Sequence, residues 1–135
     1  MKTLLKNRYE VLGIICKGGM GTVYKVADHQ LKGRVLAAKE LRVDRLPAAK
    51  VGETVTLFRT EARILSRLDH PNLPRVYDYF SVAGKYYIIM DLVKGRTLDR
   101  ILAARRGKPV DEHLALTWAL QVLRAMHFLS VQRPP

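Results

Sequence analysis

Three glycines, Gly18, Gly19 and Gly21, fall within four positions of the stretch CKGGMGTVYKV, which then turns into alternating β-branched and polar residues. Glycines between two strands permit positive φ and let backbone N–H groups approach a ligand closely, so such a loop can cradle phosphate oxygens. Taken alone, the loop reads equally as an ordinary glycine-rich hairpin. Two further residues enlarge the chemistry. Lys39 follows two alanines, and a period of two puts Val35, Ala37 and Lys39 on one strand face. Glu61 shares a helical stripe with Phe58, Leu65 and Leu68, while Arg59, Arg63 and Arg67 line another. An acid in apolar company points inward; on a surface, a helix ion pair contributes only about 0.3–0.5 kcal/mol.

The elements that must position these groups are legible from pattern. Strands are predicted over 9–15, 22–27 and 35–41, with DHQLKGR supplying the second turn. A helix runs from Pro47 to the DHPN sequence at 69–72, and two more strands over 76–81 and 86–90 are joined by VAGK. After VKGR come a short helix over 97–105, a break at Gly107 and Pro109, and a long helix over 111–131 that Asp111 or its neighbour can cap. In that last helix Trp118, Val122, Met126 and Leu129 form one apolar stripe, and Leu116, Leu120 and Leu123 form a second. A helix apolar on most sides belongs inside a core. Only QRPP follows it, so the expectation is that the material meant to surround it lies outside these residues.

Composition narrows the class. The chain has 135 residues, 48% of them hydrophobic and 27% charged, which fits one globular core. A formal charge of +12 favours anionic partners without choosing among them. The basic residues are scattered in small clusters at Lys2, Lys6 and Arg8, at Arg42 and Arg45, and at Arg105, Arg106 and Lys108, as on a solvated surface. Aromatic residues do not interleave with them as a nucleic-acid stacking platform requires, so no specific nucleic-acid partner is expected. The single Cys16 excludes an intramolecular disulfide and a cysteine-based zinc site. Lys6, Arg8 and Glu10 interrupt any export-signal core, and nothing approaches the roughly 18 apolar residues of a membrane helix. A cytoplasmic chain with no membrane segment is the expectation.

The ordered series CKGGMGTV, LAAKEL, RTEARILSRLDHPNLPRVYDYF and YYIIMDLVKGRTL resembles the small lobe of the eukaryotic-type serine/threonine protein kinases found in bacteria, continuously from about Arg8 to the C-terminus. The resemblance implies an α+β fold: a five-stranded antiparallel sheet with one helix over residues 1–93, containing the glycine-rich loop, the lysine and the hinge. Residues 94–135 would then begin a helical large lobe, truncated before the catalytic loop. It also implies an ATP site. Gly18, Gly19 and Gly21 would cover the phosphates, together with the loop's Cys16, Lys17, Met20 and Thr22. Val23 and Ala37 would sandwich the adenine, with Ile15 at the rim. Lys39 would hold the α- and β-phosphates and Glu61 would pair with it. Met90 would be the gatekeeper, and the backbones of Asp91 and Val93 would form the hinge edge. ATP, with Mg²⁺ and a protein substrate in a full-length parent, are the implied cofactor and partners.

The sequence departs from that pattern in two places. Cys16 stands where the family has its first loop glycine, and a side chain there costs about 1 kcal/mol if positive φ is required. It is read as a tolerated small residue, with a reactive thiol as a second reading. Neither the catalytic-loop aspartate and its metal-binding asparagine nor an Asp-Phe-Gly segment occurs; SVQRPP ends where the catalytic loop is expected. No catalytic residue is therefore assigned, and the chain alone is expected to be catalytically incompetent. A different class, a non-catalytic kinase-like docking module, remains the alternative.

Overall fold

The computed structural model describes residues 3–19, 21–44 and 46–132. Two compact units emerge. The first comprises Met1–Asp69 with Pro74–Leu92, and the second His70–Leu73 with Val93–Pro135.

The first unit is a six-stranded antiparallel sheet with one long helix. Its strands are β1 (Leu4–Leu5), β2 (Tyr9–Lys17), β3 (Gly21–Asp28), β4 (Arg34–Leu41), β5 (Val76–Val82) and β6 (Lys85–Asp91), in the spatial order β1-β2-β3-β4-β6-β5. Five of these are the predicted strands. The sixth, β1, pairs Leu4 with Glu10 and Leu5 with Tyr9. Only two residues long, it carries no alternation to read, and its turn is made by Lys6 and Asn7 at positive φ rather than by glycine. Helix α1 (Ala48–Leu65) starts after Pro47, and its Phe58 and Ala62 are buried.

The strand period of two divides the core into two clusters on opposite faces of the sheet. On one face Tyr9, Val26, Leu36, Ala38, Phe80, Tyr87 and Ile89 pack together; Phe80 stacks between Tyr9 and Tyr87 at ring separations of 5.7 and 5.5 Å. This is called the tyrosine face below. On the other, Leu41, Val76 and Ile88 pack with Phe58 and Ala62 of α1. This is the lysine face, because β3–β4 and β4–β6 pairing aligns Val23, Lys39 and Ile88 in one row across three strands.

The second unit contains α2 (Leu98–Ala104) and α3 (Glu112–Ser130). Asp111 caps α3 by accepting a hydrogen bond from the Leu114 N–H at 3.2 Å, which satisfies one of the otherwise orphaned first-turn donors. The two apolar stripes read from sequence do not enclose a core here. Among the described residues of the second unit only Ala125 is buried, while Leu116, Val122, Leu123 and Met126 are all more than half exposed. No helix is long and apolar enough to cross a membrane among the described residues.

Candidate functional site

The lysine face brings two of the candidate residues together. Lys39 Nζ lies 3.8 Å from Glu61 Oε1 and 5.9 Å from the centre of the Phe58 ring. The two charged groups come from different elements, β4 and α1, and are brought together by packing of α1 against the sheet through Phe58 and Ala62. Neither group is enclosed, with side chains 37% and 51% exposed. At 3.8 Å the contact exceeds hydrogen-bond length, and the Lys39 side chain donates no hydrogen bond among the described residues, so the donors of its ammonium remain available.

Around this pair the sheet presents small apolar surface. Ala37 is buried, Val23 half-buried, and Ala37 pairs with Met90 one row from Lys39. Asp91 closes β6, whereas Val93 belongs to the second unit and is 74% exposed. Leu68, expected on the helical stripe of Glu61, lies beyond the end of α1 and is buried there.

The glycine loop is the tip of the β2–β3 hairpin. The Gly18 N–H donates to the Gly21 carbonyl at 2.8 Å and closes the turn. Neither Gly18 nor Gly19 has the left-handed φ that its type permits. What Gly21 requires is the absence of a side chain: a Cβ there would meet the Glu40 carbonyl oxygen at 1.8 Å. Gly21 is thus set by the close approach of β3 to β4, while a Cβ on Gly18 would meet the Gly21 carbonyl oxygen only at an ordinary 3.9 Å and one on Gly19 would find open space. Met20 lies outside the described residues.

Ile15 and Cys16 are exposed. The ladder shifts register between Ile14 and Cys16, and Cys16 then pairs with Val23. Cys16 is not at positive φ, so the strain anticipated for a side chain at that position does not arise. Two residues grouped with the loop are directed elsewhere. Thr22 pairs with Glu40, on the face opposite Lys39, and it lines with Lys17, Tyr24 and Glu40 a cavity of about 470 Å³ on that side.

The tyrosine face has different electrostatics, and of its ion-paired groups the sequence pattern marked only Lys6 and Arg8, as surface charges, although Arg8 pairs with a buried carboxylate. Asp28 is fully buried and accepts two hydrogen bonds from the Arg8 guanidinium at 2.8 and 2.7 Å and one from the Gln30 N–H at 2.9 Å. The Arg8 hydrogen bond dominates and holds the Asp28 carboxyl below its ordinary range against the opposing effect of burial. Tyr9 Oη donates to Asp78 Oδ2 at 2.9 Å, and Lys6 Nζ reaches the same oxygen at 2.8 Å. Glu40, also buried, accepts from Tyr87 Oη at 2.8 Å and Tyr24 Oη at 3.3 Å. Burial first, and the carboxylate partner second, push the Tyr9 and Tyr87 hydroxyls far above their usual range. The signal that could have found these pairs is tyrosine recurring on β2, β3, β5 and β6, but the partners are distant in sequence.

Among the described residues no cluster of histidine, cysteine, aspartate and glutamate could hold a metal ion. The residues present fit the phosphate end of a nucleotide: an accessible ammonium with unspent donors lies on the face that carries small apolar side chains.

Comparison with known proteins gives the family and the fold. The protein kinase domain family matches residues 9–133. The serine/threonine-protein kinase PrkC of Bacillus subtilis is 36% identical over 122 residues, covering 90% of this chain and 18% of PrkC. The serine/threonine-protein kinase B of Synechocystis is 35% identical over 131 residues, covering 96% of this chain and 22% of that protein. Among solved structures, a double mutant of the Mycobacterium tuberculosis PknI kinase domain superposes with a TM-score of 0.79 at 25% identity, over 95% of this chain and 49% of that one. The chain therefore spans about a fifth of the length of these curated relatives.

Proposed function

The chain belongs to the protein kinase domain family, as a small lobe with the start of a large lobe of the serine/threonine kind, and on that premise we propose that it binds ATP on the lysine face of the sheet. The observation that carries the proposal is the pairing of Lys39 with Glu61 at 3.8 Å from separate elements, with the ammonium still accessible. In this reading Lys39 contacts the α- and β-phosphates, and Glu61 orients its side chain and offsets its charge when no nucleotide is present. Coulomb attraction at 4 Å rises from about 1 kcal/mol in water to about 4 kcal/mol at an effective dielectric near 20, so a partly dry cleft makes one lysine effective. Gly18 and Gly19 carry no side chain to keep phosphate oxygens from the loop, although the Gly18 N–H is already donated to the Gly21 carbonyl, and Val23 and Ala37 offer the apolar surface for adenine, with Ile15 at its edge. Met90 stands behind it and Asp91 supplies a backbone carbonyl to its amine. The hinge role of Val93 rests on the resemblance alone.

ATP with Mg²⁺ supplies the γ-phosphoryl group in this family, and transfer to a protein serine or threonine is proposed for a protein carrying the whole domain. The 135 residues contain neither a His-Arg-Asp nor an Asp-Phe-Gly sequence. Without a base aspartate and metal ligands, the positioning that phosphoryl transfer relies on is missing, so this chain is proposed to hold nucleotide without turning it over. Residues 1–93 act as the nucleotide-binding part, 94–135 as the opening of the helical part, in a cytoplasmic setting.

Titration of the chain with ATP, followed by calorimetry or amide chemical shifts, tests the proposal. Lys39→Met should weaken binding at least tenfold with the fold intact. Equal affinity in parent and variant removes Lys39 from the site.

A further inference from the structure

The end of β6 is clamped by a hydrogen-bond network that none of the assigned nucleotide contacts explains. Asp91 Oδ1 accepts from Tyr77 Oη at 2.7 Å, and the Arg34 guanidinium donates to the same hydroxyl at 2.7 Å while lying 3.4 Å from Asp91 Oδ1. The guanidinium also stacks over the Tyr77 ring, 4.8 Å from its centre. Asp91 Oδ2 accepts from the Arg75 N–H at 3.0 Å, and the Asp91 N–H donates back to the Arg75 carbonyl at 2.9 Å. Both carboxylate oxygens and the backbone N–H of one residue are thus held by β4, β5 and the segment before β5.

Local irregularity makes this possible. The β5–β6 ladder pairs Val76 with Met90 and Asp78 with Ile89, leaving Tyr77 as the extra residue of a bulge. A bulge re-aims a side chain, and here Tyr77 and its neighbour Asp78 both serve the tyrosine face. Burial and the Asp91 carboxylate raise the pKa of the Tyr77 hydroxyl, which keeps it a donor.

We propose that Arg34 and Tyr77 are positioning residues for adenine recognition: with the Arg75 backbone, which holds the Asp91 N–H and Oδ2, they fix the Asp91 side chain and Cα, and so narrow where its carbonyl can stand when it meets the 6-amino group. The inference rests on the ATP-binding reading above. A site built around one hydrogen bond discriminates strongly against an analogue lacking it, and discrimination falls when the acceptor is no longer held in place.

The test uses the whole chain and two probes, ATP and purine riboside triphosphate, which lacks the 6-amino group. The parent should prefer ATP by about tenfold, the weight of one pre-organised hydrogen bond. Tyr77→Phe and, independently, Arg34→Gln should bring that ratio down at least threefold while leaving affinity for the deamino analogue nearly unchanged. General damage to the lobe would weaken both nucleotides together. A ratio unaltered in a folded Tyr77→Phe chain, or a parent that binds both probes equally, overturns the positioning role and leaves ATP binding standing. A parent that binds neither probe overturns both proposals.

Discussion

The two faces of one sheet follow opposite rules. On the tyrosine face, Asp28, Glu40 and Asp78 each accept short hydrogen bonds from a tyrosine or a basic side chain, and Asp28 and Glu40 are buried. On the lysine face, Lys39 and Glu61 stand 3.8 Å apart and substantially exposed. Buried charge is tolerated only when its hydrogen bonds are complete, because desolvation otherwise costs several kcal/mol. The first face therefore holds the lobe together, while the second keeps bonding capacity unspent, as the proposed nucleotide site requires. Where a charge is fully satisfied, it has little left to offer a substrate.

The strongest way to break this contrast is at Asp28. Asp28→Ala leaves the half-buried Arg8 without its partner, and loss of about 3 kcal/mol is expected from denaturant midpoints. The same residue sets a pH dependence. Its folded carboxyl has a depressed pKa, so its stabilisation is complete above the unfolded value near about pH 4 and is lost as pH falls through the folded value. Asp28→Asn should flatten that acid limb; an unchanged limb would show that other carboxyls carry it. Next in size is Gly21→Ala, whose Cβ must displace the Glu40 carbonyl and part β3 from β4. About 1–3 kcal/mol of destabilisation is expected, whereas Gly19→Ala, with open space around it, should cost well under half as much. The smallest effect sharpens the comparison most. Lys39→Met should change stability by less than about 1 kcal/mol, the range of exposed ion pairs, although the same variant is expected to lose most nucleotide affinity. A large loss of stability there would mean that the lysine face is structural after all.

Much of the fold was legible because it depends on local periodicity. Alternation marked β2 to β6, and a three-and-four spacing marked α1 and α3 with the Asp111 cap. The glycines were singled out for their conformational freedom, yet the structure uses Gly21 for close strand approach, which depends on a carbonyl nineteen positions away in the chain. Lys39 and Glu61 were legible as candidates because a strand face and a helix stripe each point one way. Thr22 was drawn in by adjacency to the loop, although a period of two sends it to the opposite face.

By itself the order of residues determined β2 to β6, the three α-helices and the ordered motifs that mark the family, since all of these are read within a turn or a strand pair. Only the tertiary structure decided that the Lys39 ammonium faces Glu61 across 3.8 Å, that Arg34, Tyr77 and Asp91 form one clamp, and that tyrosines and carboxylates as far apart as Tyr9 and Asp78 meet. The reason is physical. Such contacts are side effects of strand order and helix packing, whose driving force is burial of apolar surface summed over the whole lobe, and no local pattern records where that sum places a distant partner.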